Sequence, residues 1–257
     1  MSDALRAEWT KLRTVSTTAW LLAAVIVLTV ALGAGVAHAV SYATGARKDI
    51  TKLSLTGVYI GQAIVAILAV QAISAEYSCG MIRVTLIAIP RRPVVLAAKA
   101  AVVGALVLAA GAVAMLGSVI AGRLILPASG FTNAHGYAAL SLGHGATLRA
   151  TAGSVLYLAL IALLSLGVGA AVREAAVAIG LVLGLLYVFP IIAALVGDQH
   201  LQRHLEQIAP MSAGLAIQNT INLGHLPIGP WAGLGVLAAW AGAALLGGGL
   251  VLKLRDA

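Results

Sequence analysis

The sequence predicts an all-α polytopic membrane protein with six transmembrane helices, and three observations support that prediction. Of the 257 residues, 61% are hydrophobic and only 9% are charged, whereas soluble domains carry about 25% charged residues. Six stretches without Asp, Glu, Lys or Arg are each close to the roughly 20 residues that a bilayer requires. The Lys and Arg residues cluster at the ends of these stretches, as expected for residues that set membrane topology.

The six predicted spans are residues 20–40, 53–75, 100–122, 150–172, 175–197 and 230–252. An even number of spans leaves both termini on one side of the membrane. If that side is the cytoplasm, cytoplasmic segments hold ten of the 16 Lys and Arg residues, which favours this orientation. The first external loop, with Arg47, Lys48 and Lys52, counts against it. We treat residues 1–257 as a single transmembrane domain.

The N-terminal segment, residues 1–17, has the spacing of an amphipathic helix. Leu5, Trp9 and Leu12 recur at i, i+4 and i+7, which predicts one apolar stripe. The basic residues beside that stripe are Arg6, Lys11 and Arg13. The pattern predicts an interfacial helix in the headgroup region; the alternative is an ordinary basic flank before the first span.

Residues 76–93 form the predicted cytoplasmic loop between spans two and three. Glu76 follows span two, and Gly80 is expected to loosen or end the helix. Apolar residues then recur at positions 82, 86 and 89, which predicts a short amphipathic helix that Pro90 ends. An ordinary basic loop is the alternative.

The long segment 198–229 is predicted to lie on the external side. Leu201, Leu205 and Ile208 have helical spacing, which predicts a short amphipathic helix broken at Pro210. Residues 211–223 are apolar but too short to span the membrane, so they either re-enter it or cover the outer mouth of a pore.

The sequence lacks the residues that several classes of protein need for their function. It contains no His-Glu-x-x-His, no Gly-x-Ser-x-Gly and no phosphate-binding loop, so we expect no hydrolytic activity and no cofactor bound by this chain. His200 and His204 are spaced to share a metal, but a solvated helix face is the favoured interpretation. The spans hold no carboxylate for a proton-driven carrier, and scattered aromatic residues argue against nucleic-acid binding.

The loop between spans two and three resembles that of permease subunits of ABC-2-type exporters. Matching residues occur in the family's order: Glu76, Gly80, Leu86, Pro90, Arg91, Arg92 and Lys99. Met81 stands where the family usually has threonine. The stretches at residues 7–14 and 210–214 are similar to those of actinobacterial-type members, and the resemblance covers essentially the whole chain.

This resemblance implies a subunit of an ATP-driven exporter in the bacterial plasma membrane. Two permease subunits, identical or different, would form the pore, and each would dock on a separate P-loop ATPase that binds ATP and Mg²⁺. The substrate would be a drug, a peptide or another amphiphile. The alternative is a membrane sensor or scaffold that regulates a partner without transport. The residues implied to contact the ATPase are Glu8, Trp9, Lys11 and Arg13 in the N-terminal helix, and Glu76, Gly80, Ile82, Arg83, Leu86, Pro90 and Arg91 in the loop.

Overall fold

The computed structural model describes residues 2–43, 47–78, 80–81 and 92–254. Within these ranges the protein is helical and has no β-strand. The α-helices in chain order are α1 (Ser2–Thr14), α2 (Ser16–Ala39), α3 (Ile50–Ser54), α4 (Val58–Ser78), α5 (Arg92–Ile125), α6 (Gly145–Val172), α7 (Ala175–Leu195), α8 (Gln199–Ile208), α9 (Pro210–Leu215) and α10 (Pro230–Leu254).

Six of these helices are long and apolar enough to cross a membrane: α2, α4, α5, α6, α7 and α10. The shortest of them have 21 residues, which corresponds to about 31 Å of helix and matches a hydrocarbon core of about 30 Å. Each helix overlaps one predicted span. The predicted all-α class and the six span-length helices are therefore confirmed.

Four of the span-length helices begin at residues other than those predicted: α2 at Ser16, α4 at Val58, α5 at Arg92 and α6 at Gly145. α5 begins at Arg92 instead of residue 100, because Pro93 lies in its first turn, where a missing N–H breaks no helical hydrogen bond. The second predicted span is divided into α3 and α4. Its turn brings Gly57 against α2, where an added Cβ would lie 1.8 Å from the carbonyl oxygen of Thr29.

α6 is the central helix of the bundle, since α4, α5, α7 and α10 all pack against it. Glycines allow the closest approach: an added Cβ on Gly167 of α6 would lie 2.4 Å from the carbonyl carbon of Ala244 in α10. Close backbone contact through small residues is the usual way in which helices associate in lipid. α2 and α7 are the least buried span-length helices, and their outer faces are apolar.

The segment between α7 and α10 folds back into the bundle. α9 is buried against α10, and Met211 accepts a hydrogen bond from Gln62 Nε2 at 3.3 Å. Gly214 packs against the ring of Tyr157, which lies about 18 Å along α6 from its first residue at 1.5 Å per residue. The chain from Pro210 to Gln218 thus packs inside the helix bundle, and we call it the re-entrant segment.

The predicted amphipathic helix of this segment is α8, and it ends before Pro210 as expected. Pro210 also starts the next helix, because the first helical position needs no N–H donor. Ala209, in an extended conformation, is the single residue between α8 and α9. This sharp turn directs α9 towards α6 and α10.

Candidate functional site

Four charged side chains from three helices form a closed ring at one end of the bundle. Glu8 and Lys11 lie on α1, Glu76 lies near the end of α4, and Lys99 lies near the start of α5. Lys11 Nζ is 2.9 Å from both Glu8 Oε1 and Glu76 Oε1. Lys99 Nζ is 2.8 Å from Glu76 Oε1 and also pairs with Glu8 Oε2. Each lysine therefore contacts both carboxylates, and we call these four residues the charge ring.

The charge ring is almost entirely withdrawn from solvent. The side chains of Lys99, Glu8 and Glu76 are 2%, 3% and 7% exposed, and that of Lys11 is 27% exposed. Removing an ion from water costs several kcal/mol, and only close opposite charges and hydrogen bonds offset that cost. Two positive and two negative groups satisfy this requirement together. The ring therefore ties α1, α4 and α5 to one another.

Helix α1 presents Glu8 to the protein and Trp9 to the outside. Ala4, Glu8 and Leu12, each four residues apart, are buried, and Glu8 and Lys11 lie one turn apart on the same side. Leu5 packs against the core as the predicted apolar stripe requires, but Trp9 is 48% exposed. The predicted stripe therefore does not face the protein along its whole length. The ion pairs of Glu8 place Glu8 on the protein-facing side, and Trp9 faces outwards.

The predicted loop residues divide into those that the structure describes and those that it does not. α4 ends at Ser78, and Gly80 follows with φ of +70°, a left-handed conformation that favours glycine. This agrees with the expectation that Gly80 ends the helix. Five predicted site residues lie outside the described ranges: Ile82, Arg83, Leu86, Pro90 and Arg91. Arg13, which was also predicted in the N-terminal helix, is exposed.

Lys11 keeps its charge in this position. Burial alone lowers the pKa of Lys11, but the hydrogen bonds and negative charges of Glu76 and Glu8 outweigh burial and raise the pKa above its ordinary value. The stabilisation is complete below the pKa of an unfolded lysine and is lost only as the pH rises through the higher folded value. The attraction within the ring therefore persists at neutral pH.

The end of α4 also contacts the far side of the bundle. The guanidinium group of Arg173, in the turn between α6 and α7, lies 5.3 Å from the ring centroid of Tyr77, a cation–π distance. The same side chain donates to the carbonyl oxygen of Val251 in α10 at 3.5 Å. Glu76 thus joins the last turn of α4 to α1 and α5, and Tyr77 joins it to Arg173, which in turn contacts α10.

A cavity of about 280 Å³ lies beside the charge ring, between α1, α2 and α4. Its walls are largely apolar, with Leu12, Leu21 and Leu68 among them, and Lys11, Glu76 and Lys99 line one side. Among the described residues, no three His, Cys, Asp or Glu residues come together as a potential metal site. The chemistry that this arrangement provides is the electrostatic joining of helices.

The pairing of Lys99 with Glu8 was not predicted. The sequence places Lys99 outside the third span, but it lies in the second turn of α5 and is 2% exposed. The available signal was a lone lysine followed by apolar residues, because an ionisable group at such a position requires a partner. Its partner in α1 is 91 residues away in sequence, so spacing alone does not reveal the contact.

No protein-family model matches the chain, and no curated protein sequence matches it.

Proposed function

We propose that this protein is the membrane-spanning permease subunit of an ABC-2-type exporter in the bacterial plasma membrane. It would provide the substrate pathway and couple to a separate P-loop ATPase, which binds ATP and Mg²⁺. The charge ring is the observation that supports this proposal best. It joins the N-terminal helix to the two helices that flank residues 82–91, and these are the regions in which the sequence resembles the family.

The ring suggests how force would pass from an ATPase to the spans. A partner that docks on α1 or on residues 82–91 acts on α1, α4 and α5 together, since pulling one helix out of the ring would break several ion pairs and leave buried charges with fewer partners. The three helices would then tilt as one body. An ATPase shifts the equilibrium between two conformations of the pore only if it interacts differently with each of them. A rigid connection among the three helices would let it move all three in a single motion.

The remaining partners follow from the same proposal. The N-terminus and residues 82–91 would face the cytoplasm, where an ATPase is available. A second permease subunit, identical or different, would complete the pore in the lipid bilayer, and the substrate would be a drug, a peptide or another amphiphile. The exposed indole of Trp9 on α1 suits a helix at the membrane surface, where tryptophan is enriched.

Purification of the tagged chain in mild detergent tests this proposal directly. We expect a P-loop ATPase to co-purify and the complex to turn over ATP. Glu76→Gln removes the negative charge that both lysines share, so we expect ATP turnover linked to transport to fall at least tenfold with the complex still in the membrane. Deletion of residues 81–89 should abolish that turnover.

Glu174→Gln is the matched control. Glu174 caps α7 by accepting hydrogen bonds from the backbone N–H groups of Ala176 and Val177, and it takes no part in the charge ring. Normal ATP turnover in both Glu76→Gln and the deletion variant would refute the coupling role. A chain that purifies with a kinase or a protease in place of an ATPase would favour the sensor or scaffold.

A further inference from the structure

The end of the bundle opposite the charge ring contains a second cavity with a different chemistry. It has a volume of about 320 Å³ and lies between α3, the start of α4, α7, α8 and the re-entrant segment. Pro190, Met211, Leu215 and Leu226 supply an apolar wall. We call it the outer cavity, since this end faces outwards in the proposed orientation.

Two opposite charges line the outer cavity without neutralising each other. Lys52 and Glu206 are both half-buried, and within the described residues neither of them makes an ion pair. Lys52 Nζ donates to Asn219 Oδ1 at 3.0 Å, and Glu206 Oε1 accepts from Gln202 Nε2 at 3.0 Å. Each charged group is therefore held by a neutral amide.

The nearby carboxylate of Asp49 makes no ion pair with Lys52 among the described residues. It accepts hydrogen bonds from the backbone N–H groups of Lys52 and Thr220 and from the Thr220 hydroxyl. The guanidinium group of Arg149 also lies at this place and donates to the backbone oxygen of Asn219 at 2.6 Å. Two cationic side chains thus converge on one asparagine, and both bind carbonyl oxygens.

We propose that the outer cavity binds a zwitterionic amphiphile. The anionic group of the ligand meets the Lys52 ammonium, which has three N–H donors and uses one of them on Asn219. The cationic group of the ligand meets the Glu206 carboxylate, and its apolar part lies against Met211 and Leu215. Ligand sites of this kind combine an apolar lining with a few polar groups that fix orientation.

The neighbouring surface provides an approach to the outer cavity. A groove of about 440 Å³ shares Lys52 and Tyr59 with the cavity and is also lined by Lys48.

A half-buried charge attracts a charged ligand more strongly than an exposed one, because less water screens it. This inference does not depend on an ATPase partner, since the outer cavity and the charge ring lie at opposite ends of α4.

Binding of three short-chain lipids to the purified protein in detergent tests the proposal. The lipids carry the same dihexanoyl chains and differ only in charge: zwitterionic phosphatidylethanolamine, anionic phosphatidylglycerol and a cationic analogue. We expect phosphatidylethanolamine to bind about tenfold more tightly than either of the other two, the change typical of one charge-assisted hydrogen bond. Equal affinity for all three lipids would overturn the proposal.

Two variants assign the charges. Glu206→Gln should remove the preference for phosphatidylethanolamine over phosphatidylglycerol, because it removes the group that recognises the ammonium. Lys52→Gln should weaken the binding of both phosphate-bearing lipids about tenfold. The matched controls are Arg203→Gln, an exposed change on the same helix, and Lys253→Gln, an exposed change at the end of α10; both should bind as the unaltered protein does.

Comparison of the detergent measurement with a second one in nanodiscs distinguishes two sources of the ligand. Binding of the short-chain lipid from water indicates a soluble amphiphile, whereas retention only of long-chain phosphatidylethanolamine in nanodiscs indicates a bilayer lipid; either result supports the zwitterionic site. An unchanged lipid preference in a folded Glu206→Gln variant would refute it. Because, in the part of the chain that the structure describes, Glu206 accepts only from a side chain of its own helix, this variant tests the site even if Lys52→Gln fails to fold.

Discussion

Lys99 is the residue on which the charge ring depends most. It is 2% exposed, and both of its contacts are carboxylates from other helices. A lysine buried to this degree is stable only while its partners stay in place, and the partners need it equally. Lys11 lies on the solvent side of the same ring and is more exposed, so solvent partly replaces its contribution.

Lys99→Met should therefore be the most destabilising single change in the ring. Methionine keeps an unbranched apolar chain that is one heavy atom shorter, and it leaves Glu8 and Glu76 close together with one lysine between them. We expect the free energy of unfolding to fall by about 3–5 kcal/mol, measured by SDS titration with tryptophan fluorescence. Lys253→Met, an exposed change at the end of α10, is the control.

A second variant separates charge from packing. Glu8→Gln combined with Lys99→Met removes one surplus carboxylate, so the double variant should recover part of the lost stability. If Lys99→Met proved as stable as Lys253→Met, the ring would contribute nothing to the fold.

At the scale of the elements, glycine decides how closely the re-entrant segment approaches the last span. An added Cβ on Gly233 of α10 would lie 1.9 Å from the carbonyl oxygen of Ala213 in α9, whereas one on Gly235 meets no atom within 4 Å. A side chain at the first position must displace backbone, which cannot rotate away as a side chain can. The fit of α9 against α10 thus requires glycine at residue 233.

These two glycines make a matched pair of substitutions on one helix. Gly233→Ala should lower the free energy of unfolding by about 1–3 kcal/mol, the usual cost of overpacking. Gly235→Ala should leave it unchanged or raise it by up to about 1 kcal/mol, because alanine is the better helix former. Thermal unfolding of both variants in the same detergent provides the measurement, and equal midpoints would contradict the packing argument.

The sequence predicts the helices of this protein but not the contacts between them. Long apolar runs reveal α2, α4, α5, α6, α7 and α10, because hydropathy is a local property. The spacing of residues 201, 205 and 208 likewise reveals α8. By contrast, the contacts of Glu8 with Lys99 and of Gly233 with Ala213 depend on how distant segments pack, and no periodicity encodes them.

The two ends of the helix bundle are held together by different interactions. One end is joined by the charge ring and by Arg173, and the other by hydrogen bonds around Asp49 and Asn219. Lys and Arg residues occur at both ends, which is why their distribution favours one orientation only by ten to six. The ring end is the one that we propose to face the cytoplasm.

Cysteine labelling in intact cells tests this orientation. In a Cys79→Ser background, Ala134→Cys should react with a membrane-impermeant maleimide, because it is exposed in the loop between α5 and α6. Ala7→Cys, exposed on α1, should react only after the membrane is permeabilised. The reverse pattern would place the charge ring outside the cell and contradict the proposed coupling to an ATPase.

The charge ring also has a consequence for the order of synthesis. Glu8 and Glu76 leave the ribosome before Lys99, so neither carboxylate meets its most buried partner until α5 has been made. We therefore expect the first two spans to enter the membrane before α1 is fully docked. Docking of α1 would then mark the arrival of the third span, and a chain truncated before residue 99 should leave its N-terminal helix accessible to protease.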